Sequence, residues 1–136
     1  MKKRYVYILS MLLILLLLTA CHAGRDNRKK LRDIEFTVVS REEVPEELAN
    51  LITEKKEEEF QLTYADKGYL YMAHGYGERE TSGYSVKVEE CFEAEDVISM
   101  KTNLIGPPKD EEIIEESTYP YVVVKIEYIE KDVVFE

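Results

Sequence analysis

The residues best suited to chemistry lie near the start of the chain, where Cys21 follows Leu18, Thr19 and Ala20. Small residues directly before a cysteine resemble the bacterial lipobox, in which the cysteine sulfur is diacylated and the cysteine becomes the new N-terminus. Two acyl chains bind a bilayer firmly, because each buried methylene contributes roughly 0.8 kcal/mol and a single chain binds only marginally. The sequence therefore predicts a covalent lipid on Cys21 and no other cofactor.

Residues 1–20 have the layout of an export signal. Lys2, Lys3 and Arg4 precede an apolar run over residues 5–18, which is short for a stable membrane span. We expect this signal peptide to deliver the protein to the extracytoplasmic face of the cell membrane, where the bilayer is a partner through Cys21. The alternative is an uncleaved N-terminal helix with Cys21 as an incidental thiol, which predicts the same location with a different anchor.

Two other side chains have the chemistry of a nucleophile or a base. Cys91 has no intramolecular partner if Cys21 is lipidated, and no histidine or asparagine signature surrounds it. His74 stands at the expected end of a strand, where a lone histidine is more often structural than catalytic. The Gly-x-Ser-x-Gly, His-Glu-x-x-His and glycine-rich phosphate-binding motifs are absent from the sequence. We therefore predict that the protein is not an enzyme.

The charge balance argues against a nucleic-acid partner. The sequence has 18 Lys and Arg against 28 Asp and Glu and a formal charge of −10. Three of those cations and none of the acids lie in residues 1–20, so the rest of the chain carries −13. An acidic surface of this kind repels phosphates. Five of the acids surround two isoleucines in residues 110–116, but the ligand spacing and glycine of a calcium loop are missing, so we predict no metal site.

The apolar periodicity predicts one helix among several strands. Pro45 and apolar residues at helical spacing predict an amphipathic helix over about residues 45–59. Period-two alternation predicts two hairpins, one from residues 60–66 with 69–73 and one from residues 84–89 with 98–104. It also predicts single strands over residues 34–40, 121–128 and 133–135. The predicted fold is therefore α+β, a small and mostly antiparallel β-sheet domain with one N-terminal amphipathic helix.

The predicted organisation has three parts. Residues 1–20 form the signal peptide, residues 21–32 the lipidated cysteine and a basic tether, and residues 33–136 a single domain. The tether can lie against anionic headgroups or remain a solvated linker, and its composition fits both. Residues 75–83 hold three of the six glycines, which is typical of a functional loop but also of a surface connection.

Two segments resemble the PrcB C-terminal domain family. Residues 81–88 read Thr-Ser-Gly-Tyr-Ser-Val-Lys-Val, a β segment and the pair Pro107-Pro108 follow, and residues 117–126 read Ser-Thr-Tyr-Pro-Tyr-Val-Val-Val-Lys-Ile. The order and spacing of these motifs fit the family over about residues 75–127. One departure is Ser82, at a position where the family commonly has glycine.

The resemblance implies a non-catalytic role, because the family is named for an accessory lipoprotein of a cell-surface protease complex. The positions carried over are Gly83, Tyr84, Pro120 and Tyr121. The resemblance implies that Gly83 serves a turn, that Tyr84 serves packing or partner contact, and that Tyr119-Pro120 sets the start of the last strand. The implied partner is an exported protease or another envelope protein. The alternative is a surface lipoprotein that binds a small ligand or a cell-wall component, with residues 75–83 at the rim of its pocket.

Overall fold

The structure is a computed structural model that describes residues 28–136. The predicted signal peptide, Cys21 and the tether as far as residue 27 lie outside the described residues. The described part forms eight strands and one α-helix, in the order β1 (Lys30–Asp33), β2 (Thr37–Val38), α1 (Glu46–Lys55), β3 (Glu59–Asp66), β4 (Tyr69–Tyr76), β5 (Ser85–Ala94), β6 (Val97–Ile105), β7 (Tyr121–Glu127) and β8 (Asp132–Phe135). A short 3-10 helix, Arg41–Glu43, precedes α1.

The strands form two four-stranded sheets. Sheet I has the order β1-β5-β6-β8, and sheet II has the order β2-β7-β4-β3. All pairs are antiparallel except β6 with β8, which is parallel. The prediction of a mostly antiparallel β-sheet domain with one helix is confirmed at this level, and the structure adds a second sheet and one parallel pair.

Two apolar clusters bury the faces of sheet II. The cluster between the sheets contains Ile34, Leu70, Met72, Cys91, Ile98, Met100, Val122, Val124 and Ile126. The cluster between sheet II and α1 contains Leu48, Ile52, Phe60, Tyr71, Ala73 and Val123. Successive side chains of a strand point to opposite faces, so β4 and β7 contribute alternate residues to both clusters. The layers are therefore sheet I, sheet II and α1.

The helix is shorter than its periodicity suggests. Leu48 and Ile52, four positions apart, lie on the buried face of α1. Glu46 and Glu47 stand in its first turn and Lys55 in its last, which complements the helix dipole. The prediction of a helix to residue 59 is wrong at its C-terminal end, because β3 begins at Glu59 and a helix cannot continue into a paired strand. Among residues 28–136, no helix has the length and apolar character needed to cross a bilayer.

The first predicted strand, residues 34–40, is also corrected. Within this segment only Thr37–Val38 forms a strand, β2 at the edge of sheet II, whereas β1 at the edge of sheet I ends just before it at Asp33. Ile34 lies between them, with its side chain in the cluster between the sheets and its N–H donated to the Cys91 carbonyl at 3.0 Å. The alternating pattern is therefore satisfied by a crossing from one sheet to the other. Since β1 begins at Lys30, the last three residues of the predicted tether pair into sheet I.

Gly75 allows β3 and β4 to pack closely beneath α1. It pairs with Phe60, and a methyl group at position 75 would overlap the Phe60 ring, which is buried. Phe60 also lies 6.3 Å from the Tyr121 ring, centroid to centroid. The ring therefore has little room to move.

We predict that Gly75→Ala lowers the free energy of unfolding by about 2 kcal/mol, because overpacking of a filled core forces neighbouring side chains to shift. The measurement is urea denaturation followed by circular dichroism. Gly106→Ala is the matched control, since the nearest atom to its added methyl group is Tyr84 Cε1 at 4.0 Å. In a Phe60→Leu background, Gly75→Ala should lower the free energy of unfolding by less than it does in the wild type. If the effects of the two changes are additive, the steric explanation is contradicted.

Candidate functional site

The residues carried over from the resemblance lie mainly at one end of the two-sheet structure. We call this the motif end and define it by residues 77–84 and 106–120, which connect β4 to β5 and β6 to β7. β4 pairs antiparallel with β7, so the end of β4 lies beside the start of β7. β6 pairs antiparallel with β5, so the end of β6 lies beside the start of β5. This topology brings the two connections together at the same end.

Backbone hydrogen bonds join the two connections. Arg79 and Thr118 form an isolated antiparallel bridge in which each N–H donates to the carbonyl of the other, at 2.8 and 2.9 Å. The Ser82 N–H donates to the Ile114 carbonyl, and the Ile114 N–H donates to Ser82 Oγ, both at 3.0 Å. The Thr118 hydroxyl donates to the Thr81 carbonyl at 2.7 Å. The two connections thus support each other although neither contains a regular strand.

Gly83 is needed for the path of this chain. Its φ of +89° lies in the left-handed region that side chains disfavour, and a methyl group there would lie 2.9 Å from Pro107 Cβ. The preceding Ser82, which departs from the family's glycine, uses its hydroxyl as an acceptor for the loop at Ile114. The turn is therefore retained with a serine at that position.

Arg79 links Tyr84 to Pro120. Its guanidinium lies 5.8 Å from the Tyr84 ring centroid and donates to the Tyr76 carbonyl at 3.0 Å. The Tyr76 N–H in turn donates to the carbonyl of Pro120, which is buried. The structure thus brings Gly83, Tyr84 and Pro120 to the motif end.

Tyr121 belongs to a different environment. Its side chain packs against the cluster beneath α1, with the Phe60 ring on one side and the Arg41 guanidinium 5.0 Å from its centroid. Although it adjoins Pro120 in sequence, the alternation of side chains along a strand directs it to the face of sheet II that α1 covers.

The outer surface of the motif end is acidic with exposed apolar residues. Ile113 and Ile114 have 52% and 58% of their surface exposed. Acidic side chains surround them in the loop, namely Asp110, Glu111, Glu112, Glu115 and Glu116, all exposed. Two bonds to Ser82 hold Ile114 in place, so the apolar side chains are presented on a fixed backbone.

The chain enters the fold at the opposite end. Lys30, the first residue of β1, pairs with Ala94 at the last position of β5, whereas the motif end adjoins the first position, Ser85. The ten residues of β5 span about 30 Å at a strand's usual rise. We call the end near Ala94 the tether end.

Glu93 fixes β1 at the tether end. Its carboxylate accepts from Lys131 Nζ at 2.8 Å and from Arg32 Nε at 2.6 Å, and its side chain is only 14% exposed. These two hydrogen bonds, with that of Lys131 the larger cause, lower the pKa of the Glu93 carboxyl below its usual range. The first strand is thereby held to the body of the fold by charge as well as by backbone pairing.

His74 is part of a polar chain between the sheets. Its Nδ1 lies 2.8 Å from Thr102 Oγ1, which lies 2.5 Å from the Tyr76 hydroxyl, and its Nε2 lies 3.4 Å from Glu59 Oε1. A hydroxyl, an imidazole and a carboxylate in this order are also the components of a hydrolytic triad. Here His74 and Thr102 are only 4% and 7% exposed, and the ring stacks on Tyr76. The chain joins β4 to β6, and only its Glu59 end, with a side chain that is 67% exposed, reaches solvent.

An open cleft of about 930 Å³ lies elsewhere, beside the segment that joins β1 to β2. Phe36, Tyr69 and Tyr71 line it together with charged side chains, and Lys125 Nζ lies 3.9 Å from the Tyr69 ring centroid. The predicted loop over residues 75–83 begins later than expected, because Gly75 and Tyr76 belong to β4. None of residues 75–83 lines the cleft, so the structure separates them from it. Among the residues that the structure describes, no group of three His, Cys, Asp or Glu side chains is arranged to hold a metal ion.

The comparison with known families identifies the central part of the chain. Residues 70–127 match the family model described as PrcB C-terminal. This segment is therefore similar to the PrcB C-terminal family. The predicted resemblance is confirmed, and the matched residues include nearly all of β4 and all of β5, β6 and β7 with the loops of the motif end. No curated protein and no solved structure is significantly similar to the chain.

Sequence reasoning missed the part played by Arg79 and Thr118. Neither residue belongs to a regular strand, and their bridge joins positions far apart in sequence. The available signal was a single arginine in a glycine-containing loop, next to tyrosines that a guanidinium can cover.

Cys91 is predicted to be inert in the folded protein. Burial raises the pKa of its thiol to about 11 from an ordinary 9.0, because the interior disfavours the thiolate. Two pKa units reduce the thiolate fraction about 100-fold, so alkylation by iodoacetamide at pH 8 should be at least that much slower in the native protein than in urea. The measurement is mass spectrometry of the Cys91 peptide over time. Equal rates in the two states would contradict the buried thiol.

The same shift has a consequence for stability. The unfolded thiol ionises from about pH 9, whereas the folded thiol stays protonated until about pH 11. The contribution of Cys91 to stability is therefore complete below pH 9 and is lost as the pH rises toward 11. Cys91→Ala should remove this part of the alkaline decline.

Proposed function

We propose that the protein is a membrane-anchored, non-catalytic lipoprotein that binds and supports an exported protein partner, with a cell-surface protease as the first candidate. The observation that carries this proposal is the match of residues 70–127 to the PrcB C-terminal family. That match supports a role as a subunit associated with a protease complex. The lipid anchor and the partner are the further steps of the proposal.

The sequence at Cys21 supports the anchor. Leu18-Thr19-Ala20-Cys21 follows a basic start and an apolar run, which is the order that export and lipidation require. A lipid on Cys21 would lie nine residues before Lys30, where the chain enters sheet I at the tether end. The motif end, about 30 Å away along β5, would then face away from the bilayer.

The surface of the motif end supports a protein partner. Exposed isoleucines within a polar, charged rim are the composition of a protein–protein contact. Tyr84 adds an amphipathic ring that is only partly covered by Arg79. Since the Arg79–Thr118 bridge fixes the two connections, little conformational entropy would be lost on binding.

Two features support a non-catalytic role. The hydroxyl of Thr102 and the ring of His74, the nearest approach to a catalytic set, are buried and lie away from the cleft. The raised pKa of Cys91 keeps its thiol in the poorly nucleophilic protonated form.

The size of the cleft favours one second candidate function, the capture of a small ligand or a cell-wall component. Its volume of about 930 Å³ lies within the range of ligand sites, and aromatic rings line it. A concentration-dependent rise in melting temperature with soluble cell-wall fragments, absent in Tyr69→Ala, would favour this candidate over the first.

The test of the main proposal follows the tagged full-length chain in cells. We expect incorporation of a palmitate analogue, membrane recovery, and stoichiometric co-purification of one exported protein after gentle crosslinking and detergent extraction. Cys21→Ala should abolish the lipid label and leave a longer precursor, because lipidation precedes removal of the signal. Cys91→Ala is the matched control and should be labelled like the wild type.

The two halves of the proposal fail separately. A lipid label that persists in Cys21→Ala would refute the anchor. Repeated recovery of the lipidated wild-type chain with no protein partner would refute the partner-binding role and leave the ligand-binding candidate.

A further inference from the structure

Strand β3 is the longest edge of the two sheets in the described part of the chain. Of the four edge strands, β2 has two residues and β1 and β8 have four each, whereas β3 has eight. β3 pairs with β4 over its full length without a register shift, while β1 has a shift in its pairing. Proteins usually shorten such an edge or interrupt it with a lysine, a proline or a bulge, and β3 has none of these.

The hairpin turn determines which backbone groups face outward. Lys67 and Gly68 have φ values of +49° and +81°, the signs required by a two-residue type I′ turn. The turn makes Asp66 and Tyr69 a hydrogen-bonded pair, and such pairs alternate along an antiparallel ladder. The N–H and C=O groups of every second residue of β3 therefore point away from β4. These residues are Glu59, Gln61, Thr63 and Ala65, and all four are exposed.

The side chains along this edge have a two-sided pattern. Phe60, Leu62 and Tyr64 lie on the face covered by α1, where they are buried or half-buried. An added strand could place alternate apolar side chains beside this row and polar side chains beside Gln61 and Thr63. The edge thus offers both a backbone template and a side-chain pattern to a strand-forming segment.

Charge distinguishes between the candidate occupants. β3 begins at Glu59, directly after Glu57 and Glu58, and ends at Asp66. Antiparallel pairing with a second copy centred on Leu62 would place Glu58 of each chain opposite Asp66 of the other, which like-charge repulsion disfavours. Pairing centred on Thr63 would instead place the apolar Phe60 of each chain opposite Asp66 of the other. An extended segment with lysine or arginine at both ends would pair opposite charges at both positions.

We propose that the β3 edge binds an extended segment of a partner protein by strand addition, and that this segment alternates apolar with polar residues between basic ends. The inference deepens the proposed function, on which it rests, by assigning the surface and the chemistry of the partner. The bound segment extends sheet II from four to five strands and gives β3 a neighbour on its open side.

A designed peptide tests the proposal on the full-length lipoprotein in detergent micelles. The probe is an eight-residue peptide in which valine and threonine alternate between terminal lysines, and the control peptide has glutamates at its ends. We expect saturable binding of the lysine-ended peptide, binding at least about tenfold weaker for the control, and slower amide exchange at Gln61, Thr63 and Ala65. No added protection at these amides, or protection only in residues 110–116, would overturn the proposal.

Two substitutions make the test specific. Thr63→Pro removes one outward N–H but no hydrogen bond to β4, so it should weaken binding of the lysine-ended peptide about tenfold. Thr63→Val should bind this peptide like the wild type. Ala65→Lys leaves the backbone donors intact. It should weaken binding of the lysine-ended peptide and strengthen binding of the glutamate-ended peptide. Unchanged amide protection at Leu62 and Tyr64 verifies that each variant is folded. Equal binding by wild type and Ala65→Lys would overturn the proposal even if Thr63→Pro unfolds.

The result separates this inference from the proposed function. If crosslinking recovers the same exported partner with wild type and with folded Thr63→Pro, the accessory role stands and the β3 edge is excluded as its site. A concentration-dependent dimer that Thr63→Pro abolishes would show that a second copy occupies the edge and would also overturn the proposal.

Discussion

The pairing of β4 with β7 supports the rest of the structure, because both faces of these strands are buried. Seven residue pairs, from Tyr69 with Glu127 to Gly75 with Tyr121, place side chains alternately against sheet I and against α1. Neither apolar cluster is complete without them. The same two strands end and begin at the motif end, so the positions of Gly77 to Tyr84 and of Pro120 follow from this ladder. A shift of one residue would exchange the two faces and expose both clusters.

The sequence predicted the elements with strong local patterns and missed those set by distant contacts. The continuous apolar run of β7 is typical of a central strand, and β7 lies between β2 and β4. The hairpin predicted over residues 60–66 with 69–73 is confirmed, and Lys67 and Gly68 form its turn. The crossing of residues 34–36 from sheet I to sheet II was not readable, because alternation looks the same whether one sheet or two bury the side chains. The parallel pairing of β8 with β6 depends on the path of residues 128–131, which periodicity does not specify.

The candidate site shows the same division. Gly83 and Pro120 were named through the family resemblance, and the structure gives each a local reason, since Gly83 has a positive φ and Pro120 directly precedes β7. The Arg79–Thr118 bridge and the two bonds between Ser82 and Ile114 join positions more than 30 residues apart, and they exist only once β4 and β7 have paired. The open edge of β3 was likewise invisible, because a strand sequence does not state how many neighbours the strand has.

These features describe a protein with three distinct surfaces: a tether end next to the predicted anchor, an acidic motif end, and a long open edge at β3. The central claim is that the surfaces away from the anchor hold an exported protein. The most direct measurement is photo-crosslinking in cells, with benzoylphenylalanine placed in turn at Thr63, Ile113 and Asp96, which are all exposed. The account predicts one discrete heavier adduct from Thr63 and none from Asp96 in the turn at the tether end. The absence of an adduct from all three positions in the membrane-localised protein would contradict it.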